Sequence, residues 1–504
     1  MDLGTLLQVY KNTKVEERMQ VIKRHEIDIK EHELETIGSL MNHLINDANS
    51  SGRELIFYTD HFWIGFKIPQ IGEEFDLLRF GENFNLNIEL KTDDLVEKMK
   101  NQLIRKKHYL KFLEVFTYHY IYSSESEHLY KLNENNELVK TEFIELLNLL
   151  KDQIVNDKNK GEIEKLFDVS NYLISPFNDT KRFMETSYFL TNHQQLIKNE
   201  IFKNIDNDYL FFMIEGTAGT GKTLLIYDFV KDCIEKEMNT LVIHCGRLND
   251  GHLILSENYG WKISPIKSAL NYLNSEIDII FVDESQRLDN QKFDSIIKFC
   301  EEQEIPCIFS LDKRQCLHTS EINREMRTNI SEITEVKNQH KLKEKIRSNK
   351  ELAEFIKIFY NVPMDNEYML ENENKNIKVN YFDTKEEADE FVQLRKELNW
   401  KYLTYSNSLY TYEHLDKLVT KGEDTPHKVI GQEFDKVVIM MDDNFTYTEN
   451  EEKRKFELKG RTDNYYHTRK MLFQNITRAR KQLNLVIVDN PVLLLTITKI
   501  LKRF

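Results

Sequence analysis

Apolar and polar positions follow two different rhythms along this chain. From about residue 190 onward, short β-rich apolar runs recur: YLFFMIEG (209–216), TLVIHC (240–245), IDIIFVDE (277–284), IPCIFSLD (305–312), KYLTYS (401–406), KVVIMMD (436–442) and LNLVIVD (483–489). Helical stretches separate them, and strand–helix alternation of this kind predicts parallel α/β layers. The first part of the chain reads as successive strands instead: ELIFYTD (54–60), HFWIGFKI (61–68), FDLLRF (75–80), a turn at GEN (81–83), then LNIELK (86–91). Leu95, Met99, Leu103, Leu110 and Leu113 predict a helix over 93–113. VFTYHYIYSS (115–124) and LYKL (129–132) form a further strand pair. The acidic, Asn-rich stretches at 131–138 and 364–377 read as surface loops. The expected organisation is an N-terminal α/β domain over 1–165, then α/β lobes over 166–330 and 331–504.

Length and composition agree with several packed domains. Of 504 residues, 40% are hydrophobic and 11% aromatic, whereas glycine (16) and proline (7) are scarce. The five cysteines show no CxxC or Cys/His spacing, which argues against a zinc ribbon, an iron–sulfur cluster or a disulfide framework and points to a reducing, cytoplasmic compartment. No leader of signal-peptide type is visible, and no apolar run reaches the roughly 20 residues that span a bilayer, so no membrane association is expected. The net charge of −15 argues, weakly, against a protein that coats nucleic acid by bulk electrostatics. A strand gripped through a few local contacts stays open.

The strongest chemical signal is GTAGTGKT: Gly216, Thr217, Ala218, Gly219, Thr220, Gly221, Lys222 and Thr223. It matches GxxxxGK[ST], with an apolar strand before it and an amphipathic helix after it. Glycines there allow successive backbone N–H groups to surround phosphates at a helix N-terminus. Lys222 is expected to reach the β/γ-phosphates of ATP, and the Thr223 hydroxyl to ligate Mg²⁺. Such a loop needs a second acid. IDIIFVDES supplies Asp283 for the Mg²⁺ shell and Glu284 as catalytic base, with 60 residues between Lys222 and Asp283.

The order of the remaining motifs resembles the superfamily-one helicases, in particular the UvrD/Rep-like branch and its Schlafen-type relatives, over roughly 185–490. LTNHQQ (190–195) looks like the Q motif, which implies Gln194 as an adenine reader. SLDKRQ (310–315) resembles the GDxxQ element, with Ser310 in place of glycine, and implies that Asp312 and Gln315 couple the γ-phosphate to the bound strand. LKEKIRSNKELAEFI (342–356) implies Arg347 as an arginine finger. HKVIGQEFDKVVIM (427–440) implies Glu433 near the ribose or the cleft, and FQNITRARKQLNLVIVD (473–489) implies Arg478 as the second finger. The resemblance implies two RecA-like P-loop lobes whose arginines neutralise phosphoryl-transfer charge across a cleft. Insertions that many helicases of this branch carry are short here, which leaves translocation or switching as alternatives to unwinding. Trp261, Tyr259, Tyr405 and Tyr410 are candidates for stacking on bases.

In the first domain, FDLLRFGENFNLNIELK puts Asp76 on one strand and Glu89-x-Lys91 on its hairpin partner. Residues 89 and 91 of a strand share a face. Two acids with a strand carbonyl hold Mg²⁺, and a lysine beside them orients the attacking water. This resembles the PD-(D/E)xK nuclease family over about 30–130, with Phe75 where the motif's proline is expected. The resemblance implies Glu35, on an upstream helix, as a further metal-site acid, and Gln102 and Tyr109 as a polar pair on the helix after the lysine.

The combined expectation is an ATP-dependent DNA helicase or translocase linked to a Mg²⁺-dependent nuclease. DNA, single-stranded or duplex with single-stranded regions, is the expected partner, with RNA as an alternative. Pairings of this kind resemble bacterial anti-phage defence and repair proteins. An ATP-driven switch with a non-catalytic N-terminal interaction module is the competing expectation. A second copy of the chain or a partner protein stays open.

Overall fold

The computed structural model describes residues 2–501 except 25–28, 49–57, 69, 70, 72, 114, 158, 168–173, 313, 314, 319, 320, 322, 343–349, 365–375 and 409–411. The chain forms two compact units, Met1–Asn171 and Tyr172–Phe504.

The first unit is built on one six-stranded sheet in sequential order: β1 (Phe62–Lys67), β2 (Glu74–Arg79), β3 (Asn85–Lys91), β4 (Thr117–Ser123), β5 (His128–Leu132) and β6 (Leu138–Thr141). Only the β3–β4 pair is parallel. A parallel pair needs a crossover, and the helix Val96–Leu110 supplies it. Alternation along β3 decides what lies where. Leu86, Ile88 and Leu90 pack into the core shared with the helices Leu3–Asn12, Glu31–Ala48 and Phe143–Asp152. Asn87, Glu89 and Lys91 therefore share the opposite face. Tyr58 and Thr59 are helical rather than part of the expected strand 54–60, the rest of which lies largely outside the described residues.

The second unit holds two parallel sheets. The first, in order β12–β7–β11–β10–β8–β9, joins β7 (Phe211–Gly216), β8 (Thr240–His244), β9 (Lys262–Pro265), β10 (Ile279–Asp283), β11 (Cys307–Leu311) and β12 (Gln339–Leu342). Every pair in it is parallel. β8, β10 and β11 are buried throughout, which is why they read as continuous apolar runs. β12 comes from beyond residue 330 and still joins this sheet. A short strand β13 (Asn361–Pro363) follows. The C-terminal sheet, order β14–β19–β16–β15, joins β14 (Ile377–Phe382), β15 (Lys401–Tyr402), β16 (Phe434–Met441) and β19 (Ala479–Val488), again with every pair parallel. β13, β17 (Phe445–Asn450) and β18 (Lys455–Gly460) make a small antiparallel sheet beside it. Among the described residues no helix is long and apolar enough to cross a membrane.

Candidate functional site

β7 delivers the chain into the loop 216–221 and the helix Lys222–Glu235. Gly219 and Gly221 have φ of +81° and +74°, a region that costs most residues energy and glycine none. A Cβ on Gly216 would come within 2.6 Å of Thr220 Oγ1. Gly221 caps the helix without a side-chain hydrogen bond, so its first N–H groups and the helix dipole are left for an anion.

Glu284, Gln315, Gly431, Glu433 and Arg478 meet Thr217, Ala218, Gly219, Gly221, Lys222 and Thr223 around one solvent-open cleft. Residues from both parallel sheets thus converge on the loop. Lys222 Nζ lies 3.4 Å from Glu284 Oε1 and 3.9 Å from Asp283 Oδ1. Burial by itself would lower the Lys222 ammonium, but Glu284, Asp283 and Asp312 outweigh it and raise it. Burial likewise pushes Asp283 and Glu284 upward. His244, Lys222 and Ser310 reverse this at Asp283, chiefly Lys222 at Glu284, and both carboxyls end below their ordinary values. The carboxylate oxygens facing Lys222, with Thr223 lining the same cleft, are of the hard oxygen type that suits Mg²⁺. An ammonium already beside both acids marks the place as one built for positive charge.

A polar chain missed in the sequence supports these acids. Gln286 Nε2 donates to Glu284 Oε2 at 2.7 Å, and Gln286 Oε1 accepts from the Asp312 backbone N–H at 3.1 Å. Gln315 Nε2 donates to Asp312 Oδ2 at 2.8 Å. For Gln286 the only sequence signal is a polar residue two places after the acidic pair. Arg478 enters from the far side, its Nε donating to the Gln474 carbonyl at 3.1 Å and Nη1 to the Gln432 carbonyl at 3.2 Å.

Gln194 is fully buried. Its Oε1 accepts from Thr191 N in a capping box, and its Nε2 lies 3.3 Å from the carbonyls of Thr220 and Gly221. In this place it braces the phosphate loop. Trp261 and Tyr405 are core residues, 4% and 0% exposed, and Tyr405 donates its hydroxyl to the Met440 carbonyl at 2.8 Å. Tyr259 is 40% exposed. Arg347 and Tyr410 lie outside the described residues.

The first unit has its own buried cluster. The β2–β3 register pairs Leu77 with Ile88, so the next residues, Asp76 and Glu89, stand opposite each other. Asp76 Oδ2 accepts from Leu90 N at 2.7 Å, and Gln102 Nε2 donates to Glu89 Oε2 at 2.6 Å. Lys106, one turn after Gln102, sits 3.4 Å from Glu89 Oε2 and 2.9 Å from Glu73 Oε1. Tyr109 instead lies beside Arg105, whose guanidinium centre is 6.0 Å from its ring. Burial first, then Asp76, pushes Glu89 up to about 8, and burial also raises Asp76, on which Lys91 acts in the lowering direction. Glu89 Oε1 is buried with no hydrogen-bond partner, an orphaned acceptor that fits a cation. Glu35 points to solvent. Glu33, two residues earlier and so nearly opposite on the helix, is the acid whose charge reaches Asp76. Among the described residues the one trio of ligand atoms mutually within 4.8 Å is His414, Asp442 and Asp443, so Asp76, Glu89 and Glu35 do not form one.

Residues 210–402, less than half of the chain, match the family of the Schlafen group 3 DNA/RNA helicase domain. No curated protein matches. Solved structures similar to the chain include the Pif1 helicase from Candida albicans (12% identity, 59% of this chain and 95% of that one, TM-score 0.35). Unliganded Pif1 from Bacteroides sp is another (13%, 60% and 92%, 0.29), as is AMPPCP-bound DnaA from Aquifex aeolicus (16%, 34% and 54%, 0.23).

Proposed function

We propose that residues 172–504 form an ATP-hydrolysing motor that acts on nucleic acid, DNA first among candidates. The observation that carries this is the single cleft in which Lys222, Thr223 and Glu284 meet Gln315, Gly431, Glu433 and Arg478 from distant parts of the chain. In this reading Lys222 binds the β/γ-phosphates, Thr223 and Asp283 hold Mg²⁺, and Glu284 orients and deprotonates the attacking water. Bound Mg²⁺ supplies charge neutralisation on the phosphates. Arg478, with Arg347 as a second candidate, stabilises the transferring phosphoryl group. Gln315, tied to Asp312, senses that group, and Glu433 flanks the nucleotide.

The first unit is proposed as a divalent-metal nuclease: Asp76 and Glu89 hold the metal, and Lys91 orients the water. The orphaned Glu89 Oε1 supports it. A cutting module on a compact motor suits defence against foreign DNA or DNA repair. One observation favours the competing reading, a non-catalytic module: the Lys106 ammonium already neutralises Glu89.

Cleavage of plasmid and single-stranded DNA, with and without ATP and Mg²⁺, separates the two. Wild type, Lys222→Ala and Lys91→Ala are compared, with ATPase stimulation by single-stranded DNA and RNA measured in parallel. Cleavage lost in Lys91→Ala but with ATPase retained is expected for the nuclease. No cleavage by folded, ATPase-active protein would reject it, and no hydrolysis by wild type on either nucleic acid would reject the motor.

A further inference from the structure

β8 and β10 run side by side with His244 in register with Asp283. His244 is fully buried, and its Nδ1 approaches Asp283 Oδ2 to 3.4 Å. Behind it lies a second fully buried histidine, His252, with ring centroids 4.4 Å apart. His252 stacks in turn on Phe177 at 4.0 Å and 29°. Nε2 of both histidines is buried without a hydrogen-bond partner, and Nδ1 of His244 approaches Asp283 without completing one. Two imidazoles left in this way cost more than two apolar rings of similar size, so packing alone does not account for them.

Phe177 also touches the loop of the C-terminal sheet. A Cβ on Gly431, whose φ is +73°, would come within 2.5 Å of Phe177 Cε2, and a Cβ on Gly251 within 2.3 Å of Phe177 Cα. Ser175 Oγ donates to the Gly431 carbonyl at 3.2 Å, and Glu433 N donates to Asn178 Oδ1 at 3.1 Å. A short segment just before the P-loop sheet is thus fastened at three points to the loop carrying Gly431 and Glu433. The stack running back from it ends on the acid beside Lys222.

We infer that His244 is a positioning residue for Asp283, and that Phe177, seated on both His252 and Gly431, ties the placement of that acid to the seat of the Gly431 loop. This rests on the reading of the cleft as an ATP and Mg²⁺ site. Asp283 Oδ1 is already fixed by Ser310; His244 Nδ1, 3.4 Å from the other oxygen, bounds the direction in which the carboxylate presents a lone pair. Partners of metal ligands of this kind are worth about 10–100-fold in metal affinity or turnover.

The test uses the full chain as wild type, His244→Phe, His244→Asn and Phe177→Ala. Mn²⁺ binding in the presence of ADP is followed by electron paramagnetic resonance, ADP binding is measured in EDTA, and kcat and KM for ATP are determined. His244→Phe keeps the volume and removes the donor. It is expected to weaken Mn²⁺ about 10–100-fold and to lower kcat, with ADP binding in EDTA and KM little changed. His244→Asn, which retains an N–H, recovers most of the loss. Phe177→Ala shifts Mn²⁺ affinity in the same direction, and its effect shrinks when His244→Phe is already present. Wild-type Mn²⁺ affinity in folded His244→Phe overturns the inference. If that variant does not fold, unchanged Mn²⁺ affinity in Phe177→Ala overturns it instead. Wild-type protein that binds neither ADP nor Mn²⁺ with ADP rejects the nucleotide site itself, a different failure.

Discussion

Ser310 donates its hydroxyl to Asp283 Oδ1 at 2.5 Å, from β11 to the end of β10. The residue that stands where the helicase-like motif carries glycine thus makes a contact that glycine has no atoms to make. A hydrogen bond to a charged group contributes about 1.5–3 kcal/mol. Ser310→Ala is expected to lower ATP turnover roughly tenfold while leaving KM for ATP close to wild type. Steady-state kinetics at saturating Mg²⁺ checks this, and an unchanged kcat contradicts it.

Lys222, Asp283 and Glu284 are all buried; Lys222 supports the charge of both acids and they support its own, whereas Asp283 opposes the charge of Glu284. Removing one partner of a buried pair costs on the order of 3–5 kcal/mol because the other charge remains. Lys222→Ala is therefore expected to melt well below wild type without nucleotide and to lose nucleotide binding. Glu284→Gln keeps binding and loses turnover by about 100-fold or more, the share of a general base. Calorimetry and nucleotide titration distinguish the two variants.

Gly431 and Gly422 both have positive φ, but their surroundings differ. A Cβ at Gly431 meets Phe177, whereas one at Gly422 (φ +89°) meets nothing within 4 Å. Gly422→Ala pays only the backbone cost, about 1–2 kcal/mol. Gly431→Ala adds a collision with a buried ring, so it is expected to cost clearly more stability and to lower ATPase activity as well. Equal melting temperatures for the two variants would count against the packing described here.

The first unit carries a pH signature. Glu89 is raised from its ordinary 4.5 to about 8 by burial and by Asp76. Between those values the folded unit holds a proton that the unfolded chain has released. Stability is thus full below about pH 4.5 and falls as pH rises towards 8. Melting of the full chain followed by a probe in this unit should drop between pH 5.5 and 8.5 in EDTA, and Glu89→Gln should flatten the drop. Added Mg²⁺, if Asp76 and Glu89 hold it, stabilises more at the upper end, where less proton must be displaced.

What the sequence disclosed follows from how each signal is stored. Strands such as β8, β10 and β11 are buried on both faces, so their apolar runs stand out without any partner being known. β9 (KISP) and β12 (QHKL) lie at the sheet edges with mixed composition and left no such run. β17 and β18 are largely charged and polar, because their sheet is small and wet. The phosphate loop and the Asp283–Glu284 pair were legible because their chemistry is contiguous. His244, Gln286 and Phe177 were not, since each acts through a residue that only folding brings near. Glu35 is exposed, and Glu33, whose charge reaches Asp76, lies more than half a turn from it on the same helix, a phase the motif resemblance did not carry.

Gly251, Gly431 and Phe177 stand far apart in the chain yet meet in one place: Gly431 gives up its side chain so that Phe177 can keep a ring, and Gly251 gives up its own to the backbone of residue 177. No one of them can be enlarged alone, and shrinking the ring leaves a void that neither glycine fills. Descendants of this chain should therefore change 177 and 431 together or not at all, and keep glycine at 251 in either case. Paired substitution at 177 and 431 would be the trace, in an alignment, of a joint that holds two sheets to a common nucleotide.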